Sequence, residues 1–195
     1  MSLKPYEDKF VRGILELFAQ AGVRCSLLHQ LGEPYRPLIK GSPNSEAEGA
    51  LEVCGLGIIF VEIDKKDYAS DTVVKYHRAL SLDCLTVDIK GKEIALVQAF
   101  VTKHMKPLRV KNAMHMGTLL LRDFGLSYMS AESEDEDIPA LLNKLREPLL
   151  SFAQRAGNLP QRTEQSGDKS ILALSWTSRV NSSLKLSAIL LALPV

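Results

Sequence analysis

Residues 57–102 read GIIFVEID, then KKDYASDTVVKYHRALS and, after Leu82-Asp83, CLTVDIKGKEIALVQAFVT. The first segment is almost continuously apolar, which suits a strand buried on both faces. The second carries Val73, Tyr76, His77 and Leu80 at helical spacing,. The third reads as two strands around Lys90-Gly91-Lys92, a hairpin signal,. Strand, helix, strand, turn, strand is the expectation. If the strands ending at Asp64 and Asp88 run parallel, these carboxylates meet at the C-terminal ends of neighbours, with Lys90 close by. Open α/β sheets place ligand sites at such ends.

Upstream, residues 5–21 carry Phe10, Val11, Ile14, Leu15 and Phe18 at helical spacing, with Gly22 in the position of a helix-ending glycine,. Residues 23–29 suggest a short strand. The stretch 30–49 mixes prolines, glycines and polar residues and reads as an exposed, mobile loop,. Strand character returns at Ala50 and runs to Asp64, with Gly55 and Gly57 marking a bulge or bend.

Downstream, Asn112 is placed to cap a helix reaching Phe124, with Gly125 after it,. The acidic run 131–137 reads as solvated. It leads into a helix over 138–155 with a stripe of Ile138, Leu141, Leu142, Leu145, Leu149 and Phe152, which Pro148 should kink or divide,. A second polar loop is expected at 157–169. The apolar segments ILALSW and LKLSAILLALPV then suggest a long C-terminal hairpin. Helices at the start and late in the chain, with two hairpins, predict a single α+β domain over 1–195. Its sheet is expected to be mixed, mainly antiparallel, with flanking helices.

Composition narrows the function classes. The 195 residues are 46% hydrophobic and 24% charged, with a net charge of +1, ordinary values for a globular chain. No global field recruits nucleic acid or membranes. Cys25, Cys54 and Cys84 are odd in number and form no CxxC pair, which fits reduced thiols,. The first residues lack a secretory apolar core, and Leu184–Val195 is too short to cross a bilayer,. A cytoplasmic protein is the expectation.

Chemically useful residues gather in one place. Glu62 and Asp64 alternate onto one side of their strand. Asp88-Ile89-Lys90 resembles the D-x-K half of the PD-(D/E)xK nuclease signature. Two carboxylates suit Mg²⁺, and a lysine suits a charged phosphate. The order of elements departs from that pattern, because a helix stands where a hairpin normally links the acid to the D-x-K strand. The plain alternative is a solvated strand end entering a turn, and on that alternative no cleavage is expected. Lys103, Lys106, Arg109 and Lys111 form a basic segment able to hold an anion,. It lacks interleaved aromatics, which argues against base stacking. His29, His77, His104 and His115 show no zinc spacing, and P-loop, GxGxxG and GxSxG motifs are absent,.

Three classes of function follow. The first, by elimination, is a non-catalytic interaction module (adaptor, chaperone-like or assembly subunit). It binds a protein partner or self-associates through its apolar hairpins, and needs no cofactor or metal. The second is a Mg²⁺-dependent nuclease or phosphodiesterase built on Glu62, Asp64, Asp88 and Lys90. The third is a small-ligand binding or sensory domain with a closed apolar pocket.

Overall fold

The computed structural model describes residues 5–28 and 47–158. The loops expected at 30–49 and 157–169 fall largely outside them, and the C-terminal hairpin entirely so. The elements are α1 (Pro5–Gln20), β1 (Cys25–Leu27), β2 (Gly49–Val53), β3 (Gly57–Asp64), α2 (Ala69–Ser81), β4 (Glu93–Val101), α3 (Pro107–Arg122), β5 (Leu126–Ser133) and α4 (Ile138–Asn158). They form a five-stranded sheet in the order β1-β2-β3-β4-β5 between two helical layers.

On one face, Phe10, Ile14 and Phe18 of α1 and Leu141, Leu145, Leu149 and Phe152 of α4 share a core with Leu51, Ile59, Val61, Val97 and Met129. On the other, Val73, Tyr76 and Leu80 of α2 and Leu121 of α3 pack on Ile58, Phe60, Ile94 and Leu96. The apolar continuity of β3 follows, because alternate residues serve opposite cores. The α1 stripe ends where the sequence says it should. Gly22 has φ +70, and Val23 N–H donates to Phe18 O and Gly22 N–H to Ala19 O, the paired bonds of a Schellman cap.

The α+β class holds, but the sheet is mixed rather than mainly antiparallel. β1, β2 and β3 are antiparallel neighbours, whereas β3, β4 and β5 are parallel. The expected hairpin at 84–102 does not form. β4 is paired on both sides, to β3 and to β5, and leaves no edge for residues 84–89. That segment instead turns Leu85, Val87 and Ile89 into the second core and enters β4 through a turn with Gly91 at φ +70.

Other boundaries also differ. Residues 50–64 are two antiparallel strands joined at Cys54-Gly55-Leu56, not one bulged strand. α3 starts at Pro107, five residues before Asn112, because proline suits the first helical position, where no N–H is needed. Pro148 lies inside an undivided α4. The first part of the acidic run, Ala131-Glu132-Ser133, belongs to β5, whose pairing extends to Val101↔Ser133.

Candidate functional site

The parallel arrangement brings the C-terminal end of β3 beside that of β4, with Asp64 opposite Phe100 and Glu62 opposite Gln98. Alternation sends Glu62, Asp64 and Gln98 to the α2 side of the sheet, in line with Phe60 and Leu96,. The start of β2 lies at the same end, because β2 runs antiparallel to β3. Glu48, just before β2, extends the pairing Gly49↔Val61 towards Glu62. The N-terminal turn of α1 adds Glu7, which is buried.

Each carboxylate is held by named donors. Glu62 Oε1 accepts from Lys75 Nζ at 2.7 Å and from Tyr76 OH at 2.6 Å. These residues are adjacent on α2, whose buried face carries the tyrosine into the core. Asp64 accepts from Thr72 Oγ1, at 3.2 Å to each oxygen. It also accepts from Gln98 Nε2 at 2.7 Å. Gln98 is fully buried. Its amide also donates to Ala69 O at 2.8 Å, and its oxygen accepts from Tyr128 OH at 2.6 Å. Glu48 accepts from the backbone N–H of Ile63. The network therefore runs from β2 across β3 and β4 to β5, with α2 as its lid.

Electrostatics set this cluster apart. Burial pushes Glu48 well above the usual carboxylate range, and the neighbouring charges of Glu62 and Glu7 push it further. The Ile63 N–H opposes the shift. Asp64 is raised to about 6, first by burial. The Gln98 hydrogen bond pulls it down and Glu62 pushes it up. Tyr76 is raised by burial and then by the Glu62 charge. A carboxyl that stays protonated at neutral pH among other carboxylates marks a place short of positive charge.

The residues read from the sequence separate into two groups. Glu62 and Asp64 are together. Asp88 and Lys90 are exposed and lie at the other end of the sheet, where Asp88 Oδ1 accepts from Lys90 N–H at 3.0 Å. They precede β4, whose first residue Glu93 pairs with Gly57. The eight residues of β3 put about 23 Å between that end and Asp64. The convergence of Asp64 with Asp88 and Lys90 that the nuclease alternative needed does not form, because 84–89 is a loop leading into a turn and not a strand parallel to β3. Glu48, Glu7, Lys75, Tyr76 and Gln98 were missed. Only Gln98 carried a signal, as the lone polar residue inside IALVQAFV.

In the basic segment, Lys103 forms a 2.9 Å ion pair with Asp135, while Lys106, Arg109 and Lys111 are exposed near the start of α3. His77 packs edge-on against Phe124, 5.2 Å between ring centroids. Among the described residues, no three Asp, Glu, His or Cys side chains stand ready-made around a metal position, and no helix is long and apolar enough to cross a membrane. A depression of about 240 Å³ between α1 and α4 is lined partly by Glu16, Gln20, Asn143 and Arg146. It is not the closed apolar pocket that a small-ligand domain requires. Comparison with protein-family models, with curated proteins and with solved structures finds no match.

Proposed function

We propose that this chain is a divalent-cation-dependent phosphodiester hydrolase whose site is Glu48, Glu62, Asp64 and Lys75 at the C-terminal end of β3. The observation that carries the reading is the buried convergence of Glu48, Glu62 and Asp64, with two of the three held above the ordinary carboxylate range. The sequence reading of this class used Asp88 and Lys90, which lie at the other end of the sheet, so the proposal rests on other groups. Glu48 supplies a third acid beside Glu62 and Asp64, and Lys75 the amine.

Carboxylate oxygens suit a hard cation such as Mg²⁺ or Mn²⁺, but Glu48, Glu62 and Asp64 do not surround one point in this structure, so an ion would have to draw them together. Glu48, Glu62 and Asp64 would hold such an ion, Glu48 after losing its proton and Glu62 in place of its bond to Lys75. Such an ion, when bound, activates water and neutralises charge on a phosphate. The protein's own groups do the rest. Lys75, which pairs with Glu62 in this structure, would supply the positive charge for a phosphate. Thr72 and Gln98 fix the orientation of Asp64, and Tyr76 holds Glu62.

Calorimetry with Mn²⁺ in buffers of different ionisation enthalpy tests the reading directly. Binding should release a proton near neutral pH, because Glu48 must ionise. With Mg²⁺ or Mn²⁺, the chain should cleave nucleic acid. Glu62→Gln, Asp64→Asn and Lys75→Met should each lower the rate by about 100-fold or more, as expected when charge stabilisation is removed. Asp88→Ala should leave the rate unchanged. Absence of either ion binding or cleavage in the folded wild type overturns the proposal.

A second reading, the non-catalytic module binding a protein partner, rests on Val74 and Leu82 of α2 and its cap and Leu108 and Leu119 of α3, all large apolar side chains left exposed. It expects Glu62→Gln and Asp64→Asn to leave partner binding intact.

A further inference from the structure

Charge is segregated where β3, β4 and β5 end side by side, at the pairings Asp64↔Phe100 and Val101↔Ser133. Lys65 and Lys66 follow β3. Lys103, His104 and Lys106 follow β4, and Arg109 and Lys111 lie in the opening turns of α3. Lys106 N–H donates to Asp67 Oδ1 at 2.9 Å, tying the β3–α2 connection to the β4–α3 connection. The overall charge of +1 hides this basic rim. Lys65 follows Asp64 in the chain but turns to α1, over the Tyr6 ring, while Asp64 turns to α2.

The connection after β5 carries Glu134-Asp135-Glu136-Asp137, and it lies on the rim. Lys103 N–H donates to Glu134 O at 2.9 Å. Lys103 Nζ meets Asp135 at 2.9 Å and Lys65 Nζ meets Glu136 at 2.6 Å. The Lys65 ammonium also stands 4.0 Å over the ring of Tyr6. The Tyr6 hydroxyl is buried with no hydrogen-bond partner among the described residues. The acidic segment thus presents two carboxylates, Asp135 and Glu136, to two lysines, and the Glu134 carbonyl to a backbone N–H, beside the C-terminal ends of β3 and β4. Exposed ion pairs of this kind contribute little stability, whereas a polyanion gains by releasing its counterions when lysines neutralise it. The exchange of one anion for the other is therefore close to balanced.

We propose that residues 134–137 act as an internal stand-in for a nucleic-acid backbone. They occupy Lys65 and Lys103, and a nucleic-acid strand displaces them to lie along Lys65, Lys103, Lys106, Arg109 and Lys111. The choice of nucleic acid rests on the phosphodiester-hydrolase reading. The exchange itself rests on the ion pairs.

Fluorescence anisotropy with labelled single-stranded and duplex oligonucleotides, in EDTA and across a salt series, tests this without any hydrolysis. Asp135→Asn/Glu136→Gln should bind more tightly than wild type. Its log K against log salt slope should steepen by about 1 to 2, since each freed lysine adds about 0.9 on duplex and about 0.7 on single strands. The tighter probe identifies the form of strand accepted. Lys106→Ala/Arg109→Ala should bind more weakly with a shallower slope. A charge-matched control, Glu16→Gln/Glu147→Gln, should leave the slope unchanged. Equal affinity and slope for Asp135→Asn/Glu136→Gln and wild type overturn the proposal, as does an equal gain in the control or failure of every form to bind. Binding as expected by a chain that never cleaves retains this inference and overturns only the hydrolase.

Discussion

Glu48 shows what single residues contribute here. A carboxyl beside Glu62 and Glu7 is an unfavourable thing to bury, and it stays protonated in the folded chain far above the pH at which the unfolded chain ionises it. The sign follows from linkage. Below the ordinary carboxylate range both states hold the proton and nothing is lost. As pH rises, only the folded state keeps it, so stability falls. Asp64, at about 6, adds a loss complete by neutral pH, and each unit of displacement is about 1.4 kcal/mol. In metal-free buffer, Glu48→Gln keeps an acceptor for Ile63 N–H and removes the group that ionises on unfolding. It should therefore match wild type near pH 4 and exceed it by about 2 kcal/mol or more at pH 8. Urea unfolding at the two pH values checks this, and a pH-independent difference would contradict the burial argument. Gln98 has the opposite character, since it satisfies three polar groups without charge. Gln98→Leu should cost about 1–3 kcal/mol by leaving Asp64 and Tyr128 short of partners.

Elements enter the site through their packing. α2 supplies Thr72, Lys75 and Tyr76 because its apolar face, Val73, Tyr76 and Leu80, fixes its rotation over β3. Lys75 flanks that face and therefore reaches Glu62. Tyr76→Phe should lower stability by about 1 kcal/mol while leaving α2 in place, visible as an unchanged far-UV spectrum. α3 is set more tightly. A Cβ at Gly117 would stand 2.4 Å from the Tyr128 ring, and Tyr128 is anchored to Gln98. Gly117→Ala should therefore destabilise by about 1–3 kcal/mol through overpacking. Tyr128→Ala, which vacates the space, should make the double variant less than additive in unfolding experiments. Additive losses would show that α3 shifts instead.

At the scale of the molecule, the described parts of both cores lie in residues 5–28 and 47–158. α1 and α4 close one face of the sheet, and α2 and α3 close the other. A fragment spanning 1–159 should therefore unfold cooperatively within a few degrees of the full chain in thermal denaturation. Loss of cooperativity would mean that the core needs residues beyond 159. The same layering explains why the cluster is buried and close to the edge of the fold. It lies where α1, α2, the start of β2 and the ends of two parallel strands meet, the position at which α/β sheets place their sites.

Periodicity read from the chain was enough for α1, for β3 and for α2. In each, the apolar residues of one element face their core at a regular spacing, so the signal is local. It was also enough to single out Glu62 and Asp64, because charge inside GIIFVEID stands against its surroundings. The partner of each strand was not local information. Residues 84–89 have strand composition but became a packed loop, because β4 spends both its edges on β3 and β5. That one decision moved Asp88 and Lys90 to the far end of the sheet. Glu48 and Lys75 look like ordinary surface charges in sequence, and Glu7 sits among the polar residues of an amphipathic helix. Only the tertiary pairing made them neighbours, because antiparallel β2 and parallel β4 both present the same end to Asp64. Sequence alone determined which residues α1, β3, α2 and α4 bury. The order and direction of the strands decided which charges share the space that remains.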